Sequence, residues 1–358
     1  MNQFVIRRLI TTIPVLFGIL VLTFVLLRAI PGDPCRAIVA ERATEEVCDQ
    51  FIESSGLNKS IPEQFLDYLN QVARGDLGTS FRHNRPVVDL FFERLPTTIE
   101  LGIVASVFAV VVGTPLGIIA ARRRATLVDF GSMSVAAVGV STPVFLLGLL
   151  LAYCFGVLLS DTPFALPPSG RLTPGAFYEP FYVAWGLIPP KGEAFGFLVF
   201  LSRFHILNAV LTVNPDLMTD AIRHLILPAV TAGTIPLAII SRIMRSSLLD
   251  VLSQDYILTA RSKGLSEFTV VVGHGVRNAM LPVTTVIGLS FGSLLSGAIL
   301  TETVFGLPGV GQLVVEGIFA RDYPVVQGSI MLLAFSFVFV NFVVDVSYAY
   351  LDPRVKLQ

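Results

Sequence analysis

The chain has 358 residues, of which 53% are hydrophobic and only 14% charged, and its formal net charge is −1. Its mean hydropathy is +0.74. So few charged residues cannot cover the surface of a soluble globular protein of this length. The composition therefore indicates an integral membrane protein, and we expect no nucleic-acid partner.

Charge-free apolar runs predict the membrane spans. A hydrocarbon core about 30 Å thick requires about 20 apolar residues in a helix. A charge in the middle of a span costs about 2.5–3.5 kcal/mol on the insertion scale. The predicted fold class is an all-α integral membrane protein with six transmembrane helices. They cover residues 9–27, 101–121, 130–160, 225–241, 278–301 and 323–344.

The first run follows Arg7 and Arg8 and reaches Arg28 without a small-residue cleavage site. We therefore expect a retained signal anchor rather than a cleaved signal peptide. Lys and Arg in short loops mark the cytoplasmic side. The chain's basic clusters lie at residues 7–8, 122–124, 242–277 and 354–356, whereas acids match or outnumber bases in 31–96 and 161–222. Both termini are predicted to be cytoplasmic.

A seventh span is conceivable at residues 194–213, which are apolar at their edges. Arg203 and His205 lie at its centre, however, and an odd span would place the basic segment 242–277 outside. We therefore expect a re-entrant or interfacial external helix here.

The first external segment is predicted to be folded. Ser60, Pro62 and Glu63 form a helix start of the Ser-x-x-Glu type before apolar residues at helical spacing. This helix is either an amphipathic cap on the outer membrane surface or a docking surface for a partner outside the membrane. Cys35 and Cys48 lie in the same segment, where an oxidising exterior permits a disulfide. Two free thiols are an equal alternative.

No motif in the sequence indicates a metal site or a catalytic centre. The histidines are not paired with a cysteine or an acid at ligand spacing, and they are His83, His205, His224 and His274. An intramembrane hydrolase would need a nucleophile with a base inside a span. The serines of the fifth span have no such partner. Together with glycines they form a small-residue face that either packs against another helix or lines a translocation path. These residues are Ser290, Ser293, Ser296, Gly288, Gly292 and Gly297.

Two features bear on whether this chain could power transport by itself. The sequence has no GxxxxGK[ST] phosphate-binding loop, so it does not bind ATP by that route. Ion-coupled carriers keep ionisable residues near the bilayer midplane, but here Glu100 and Asp345 lie only at span ends. Channel, carrier, hydrolase and pump component remain open at this point.

Prolines punctuate several spans, and each removes a backbone donor and can kink its helix. They are Pro115, Pro143, Pro228, Pro236 and Pro282.

The segment after the fourth span is polar and helix-forming. Tyr256, Thr259, Ala260 and Lys263 recur at three- and four-residue steps, and Gly264 provides the turn that ends the helix. Such a helix could rest on lipid headgroups as an amphipathic linker. Alternatively, its small residues suit a groove in another protein.

This segment resembles the EAA loop of the membrane subunits of bacterial ABC importers, in its peptide-permease form. The resemblance rests on YILTARSKGL at 256–265 and RNAMLP at 277–282. Further strings along the chain resemble the B-type subunits of dipeptide and oligopeptide permeases in the same order. They include LRAIPGDP at 27–34, GDLGTS at 75–80, LPTT at 95–98, LPPSG at 166–170, RHLILPA at 223–229, TETVFGLPGVG at 301–311, RDYPVVQG at 321–328 and LDPR at 351–354.

The sequence departs from the generic importer pattern at two places. Leu258, Thr259 and Ala260 replace the usual Glu-Ala-Ala, as in the peptide branch. The external stretch at about 177–217 is longer than expected, which leaves the docking surface for a binding protein undefined.

The resemblance implies a permease subunit of an ATP-driven importer in the inner membrane of a prokaryote, with no enzymatic activity of its own. Its implied partners are a second permease subunit, two ATP-binding subunits that hold ATP and Mg²⁺, an extracytoplasmic solute-binding protein and membrane lipid. Peptides are the default cargo; nickel chelates, glutathione and sugars are carried by relatives. The implied coupling residues are Asp255, Tyr256, Thr259, Ala260, Arg261, Ser262, Lys263 and Gly264.

On this basis we expect three parts. Residues 1–95 contain the first span and the external segment, residues 96–350 form the core permease domain with a coupling helix at about 254–264, and residues 351–358 form a cytoplasmic tail.

Overall fold

A computed structural model describes residues 2–29, 35, 44–187 and 196–351. Its α-helices are numbered in chain order. They are α1 (Asn2–Ala29), α2 (Glu45–Ser54), α3 (Ile61–Ala73), α4 (Val87–Arg122), α5 (Leu127–Ser141), α6 (Val144–Tyr153), α7 (Phe181–Ala184), α8 (Gly196–Ser202), α9 (His205–Leu211), α10 (Pro215–Leu252), α11 (Asp255–Ser262), α12 (Arg277–Gly297), α13 (Ile299–Val304), α14 (Val310–Ala320) and α15 (Tyr323–Leu351). Cys154–Leu158 and Thr269–Val276 are π-helical.

The described residues contain five to seven helical stretches that could cross a membrane. Five are single helices: Ile10–Ala29, Val87–Arg122, Pro215–Leu252, Thr269–Leu295 and Tyr323–Val344. Two more are bent pairs, Leu127–Ser141 with Val144–Leu158 at 104° and Ile299–Phe305 with Val310–Ala320 at 82°. The prediction of an all-α membrane fold is confirmed at this level.

The third predicted span is not a straight helix. α5 ends at Ser141, Thr142 adopts an extended backbone, and Pro143 caps the start of α6. A residue before proline is pushed out of the helical region by a clash with the proline ring, which explains the break. By contrast, Pro228 and Pro236 lie inside the uninterrupted α10, so proline alone does not locate the bends.

Helices α4 and α10 form the centre of the bundle and pack closely along their length. A Cβ atom added to Gly117 would lie 2.6 Å from the Ser241 carbonyl oxygen, and one added to Gly233 would lie 2.7 Å from that of Ala105. Small residues let two membrane helices approach until their backbones touch, which gains dispersion contacts where no hydrophobic driving force exists. The sequence reading missed this contact, although Gly113 and Gly117 form a GxxxG pair that indicates it.

The stretch considered above as a seventh span is broken into α8 and α9, each of seven residues. Neither is long enough to cross a hydrocarbon core. Arg203, at the break, donates to Glu93 at 3.1 Å. The Ile206 amide donates to Glu100 at 2.6 Å, and Arg171 pairs with the same carboxylate at 2.6 Å. These bonds hold the segment against the first turns of α4.

The segment between α1 and α4 is folded in its described part, as predicted. Pro62 lies in the first turn of α3, and the Ser60 amide donates to the Glu63 carboxylate at 3.1 Å, as a capping box requires. The Phe65 ring meets Phe24 of α1 edge-to-face, with centroids 5.1 Å apart. Cys35 and Cys48 form a disulfide with their Cα atoms 5.5 Å apart.

Part of the small-residue face of the fifth span packs against another helix, and the side chains of residues 296 and 297 of this face lie outside the described set. A Cβ atom added to Gly292 would lie 2.7 Å from the Asn341 amide oxygen of α15, so this position is one of close packing. Ser293, the next residue, is exposed.

Candidate functional site

Helix α11, the predicted coupling helix, buries one face against the rest of the chain. Ile257 is completely buried and Ala260 nearly so. Both pack with Val270 and Leu252, at the start of the next segment and the end of α10. Their spacing of three residues places them on one side of the helix. The other side of α11 is exposed and includes Leu258, Thr259 and Ser262.

The end of α11 is fixed by Gly264, as predicted. Its φ is +77°, in the left-handed region that a residue with a Cβ atom adopts at a cost. The Gly264 amide donates to the Arg261 carbonyl at 2.9 Å, and the Leu265 amide donates to the Ala260 carbonyl at 3.4 Å. This pair of bonds is the Schellman motif. A Cβ atom at Gly264 would meet open space, so only the backbone conformation requires glycine here.

Two side-chain contacts brace α11 against the segment that follows it. The Arg261 guanidinium donates to both oxygens of Glu267, at 2.7 and 3.2 Å. Hydrogen bonding from Arg261 lowers the pKa of the Glu267 carboxyl below its usual range. The Asn278 amide donates to the Tyr256 hydroxyl at 2.9 Å. Because Asn278 is in α12, this bond connects α11 directly to the fifth predicted span.

The outer surface of this region carries a group of exposed apolar side chains, which we call the docking patch. Its members and their exposed fractions are Tyr256 (44%), Leu258 (62%), Leu265 (41%) and Phe268 (66%). An exposed apolar group of this kind marks an interaction surface more often than a single exposed residue does. Only Tyr256 of this group was among the predicted coupling residues. The missed signal was the presence of large apolar residues in an otherwise polar segment.

The predicted coupling residues do not all face outward. Asp255, Thr259, Ser262 and Lys263 are exposed, as are Tyr256, Arg261 and Gly264. Ala260 is buried against the protein's own core. Tyr256 and Ala260, four positions apart, share a side of the helix, but Ala260 lies with Ile257 on the face that attaches the helix to the bundle.

Two of the sequence strings quoted for the family resemblance, LPTT at 95–98 and TETVFGLPGVG at 301–311, contact each other in the structure. The Glu302 carboxylate accepts from the Thr98 hydroxyl at 2.6 Å and from the Gln312 amide at 3.1 Å. The same Thr98 oxygen accepts from the Val310 amide at 2.9 Å. A carboxylate at the start of α14 satisfies amide groups that have no partner within the helix. This buried acid therefore fixes the bend between α13 and α14.

Comparison with known proteins places these features in a family. Residues 113–357 match the family described as binding-protein-dependent transport system inner membrane component. Residues 1–102 match the N-terminal part described for membrane components of such systems.

Similar proteins cover the whole chain. The di/tripeptide transport system permease protein DppB of Pseudomonas aeruginosa (strain UCBPP-PA14) is 42% identical over 100% of both chains. The dipeptide transport system permease protein DppB of Escherichia coli (strain K12) is 40% identical over 99% of both. The glutathione transport system permease protein GsiC of Escherichia coli O6:H1 is 38% identical, also over 99% of both. This chain belongs to the family of binding-protein-dependent transport system inner membrane components.

Proposed function

We propose that this chain is the membrane-spanning permease subunit of an ATP-driven importer of di- or oligopeptides, in the inner membrane of a bacterium. The names of its relatives support the cargo class, since they refer to dipeptides, di- and tripeptides and glutathione, which is itself a tripeptide. Glutathione is accordingly the second candidate cargo.

The proposed topology has six spans, with both termini in the cytoplasm. This count takes the bent pair 127–158 as one span and places the pair 299–320 at the external face. Two features support the orientation. The disulfide between Cys35 and Cys48 suits the oxidising exterior, and the arginines at 122–124 and around α11 suit the cytoplasm.

The docking patch carries the proposal for coupling. It comprises two residues of α11 and two residues that follow the turn at Gly264, which fixes the end of the helix. Since one face is anchored through Ile257, a force applied to the exposed face passes into α10 and, through Asn278, into α12. We assign this face to contact with an ATP-binding subunit.

The complete importer would contain a second permease subunit, two ATP-binding subunits and an extracytoplasmic solute-binding protein. The external segments around α3 and α7 to α9 are available to the last of these. ATP and Mg²⁺ would be held by the ATP-binding subunits. The nucleotide shifts the spans between inward-open and outward-open forms only by favouring one of them. This chain then shapes the path and transmits motion, without making or breaking covalent bonds.

Co-purification tests the docking assignment. Leu258→Asp and Phe268→Asp each place a charge in the docking patch, and we expect either change to reduce recovery of the ATP-binding subunits with this chain. Leu66→Asp is the matched control. Leu66 lies on α3, outside the docking patch, and its side chain is 61% exposed, close to the 62% of Leu258. Full recovery with both patch variants would exclude this face as the contact.

Transport in sealed vesicles tests the class of transporter. The assembled complex, with its binding protein outside and ATP supplied on the ATP-binding side, should accumulate Ala-Ala. Uptake by this chain alone, driven by an ion gradient, would instead establish a secondary carrier.

A further inference from the structure

A cavity of about 250 Å³ lies between the end of α1, α3, the loop at 77–81 and the start of α15. It is distant in sequence from α11 and plays no part in the coupling proposed above. Its walls include Arg28, Tyr68, Phe81, Tyr323 and Gln327. The cavity is smaller than the roughly 300–1,000 Å³ typical of drug-sized sites, so it fits a solute of amino-acid or dipeptide size.

Two hydrogen-bonding groups in the cavity wall have no partner among the described residues. The Tyr68 hydroxyl and the Gln327 amide nitrogen are both buried and unbonded. Their residues are only 8% and 5% exposed. Burial raises the pKa of Tyr68 to about 12, so its phenol keeps its proton and can donate. Buried polar groups in native proteins almost always have a partner, and an exception calls for one that is not a protein group.

The third group is a guanidinium. Arg28 lies with its Cζ 3.5 Å from the centre of the Phe24 ring, and its Nε donates to the Gln64 amide oxygen at 2.9 Å. The stacking fixes the plane of the guanidinium. Its Nη1 also donates to the Phe24 carbonyl at 3.5 Å, which leaves Nη2 for a further acceptor. No carboxylate of the described residues forms an ion pair with Arg28. Asp67, the acid in the cavity wall, is taken by Lys59 at 2.6 Å.

We propose that this cavity binds the carboxylate of a small solute, of amino-acid or dipeptide size. The hydroxyl of Tyr68, the amide nitrogen of Gln327 and the guanidinium of Arg28 are all donors, and a carboxylate offers two oxygens that accept several hydrogen bonds. Guanidinium groups bind carboxylates through paired, charge-assisted bonds. The aromatic rings of Phe81 and Tyr323 provide an apolar wall for the rest of the solute.

Calorimetric titration of the full chain in phosphatidylcholine nanodiscs tests the site. The probe is Ala-Ala, with the C-terminal amide of Ala-Ala as the matched ligand lacking a carboxylate. We expect the amide to bind about tenfold more weakly or worse, since it loses the charge-assisted bonds. Arg28→Gln should weaken Ala-Ala binding by at least about tenfold, and Tyr68→Phe by about threefold to tenfold. Arg74→Gln, an exposed arginine of the same segment outside the cavity, should leave binding unchanged.

Three results would overturn the proposal. One is equal affinity for Ala-Ala and its amide. Another is Ala-Ala binding that both Arg28→Gln and Tyr68→Phe leave intact, which would place the solute elsewhere. The third comes from repeating the titration in discs that contain phosphatidylglycerol: if this lipid abolishes binding of Ala-Ala, the anion in the cavity is a lipid phosphate. Since no ATP-binding subunit is present in any arm, failure here leaves the coupling proposal standing.

Discussion

The Asp322 carboxylate accepts a hydrogen bond of 2.5 Å from the Ser80 hydroxyl, 242 positions earlier in the chain. The same carboxylate accepts from the amides of Phe81 and Arg82, each at 3.1 Å. It lies immediately before α15, and only 1% of Asp322 is exposed. One side chain therefore attaches the loop between α3 and α4 to the start of the last helix.

Replacing Asp322 by Asn should destabilise the fold by about 2–4 kcal/mol, because a charged acceptor of several buried bonds is lost and donors are left unsatisfied. The measurement is the apparent melting temperature of the purified chain in detergent. Asp89→Asn, at an exposed acid in the first turn of α4, is the control and should melt like the wild type. Equal melting of the two variants would show that the Ser80–Asp322 connection contributes nothing to stability.

Replacing Gly264 by Val should uncouple ATP hydrolysis from transport in the assembled complex. The left-handed conformation costs a residue with a Cβ atom about 1–2 kcal/mol, which strains the turn that orients α11. Gly264→Asn is the control, since Asn tolerates this conformation better. A side chain at position 264 would extend into open space, so we expect both variants to fold. Wild-type ratios of peptide uptake to ATP hydrolysis in the Val variant would show that this turn has no role in coupling.

Cysteine labelling should establish the orientation. In a chain carrying Cys154→Ala, Ser266→Cys should react with an impermeant maleimide only from the cytoplasmic side, and Asn58→Cys only from the outside. Both positions are exposed, so access to the reagent is limited by the membrane alone. Residues near 190, where a second external cysteine would be expected to react, lie outside the described residues. Asn58 reports on the same face. Labelling of Ser266→Cys from the outside would reverse the topology.

Acid should destabilise the segment that contains α8 and α9 through His205. Burial, together with the charge of Arg171, lowers the pKa of His205 to about 3. The unfolded chain, with a pKa of about 6.5, therefore binds a proton that the folded chain does not. This contribution to stability is complete above pH 6.5 and is lost as the pH falls towards 3. At pH 5 the loss amounts to at most about 2 kcal/mol.

The test compares melting temperatures at pH 7.5 and pH 5. The wild type should lose more stability on acidification than His205→Gln, which cannot titrate. His274→Gln, at an exposed histidine, should retain the wild-type response. If His205→Gln responds to acid as the wild type does, His205 is not the responsible group.

The sequence alone was enough to predict a helical membrane protein, its family and the helix that ends at Gly264. The membrane fold and the helix end depend on local information: the length of apolar runs, the placement of charges, or the need for glycine at a left-handed turn. The family follows from the resemblance of ordered sequence strings. The sequence did not show that the helix breaks at Pro143 but continues through Pro228 and Pro236 in α10. Whether a membrane helix bends at proline depends on which neighbours can satisfy the freed carbonyl.

Tertiary structure decided which faces of those helices meet. Ala260 and Leu258 are two positions apart in α11, yet Ala260 is buried and Leu258 is exposed. The difference arises because Ala260 packs against Val270. The bonds of Glu302 with Thr98 and of Asp322 with Ser80 join residues more than two hundred positions apart. A sequence records which groups can donate or accept, whereas the pairing of distant groups follows from how the whole bundle packs.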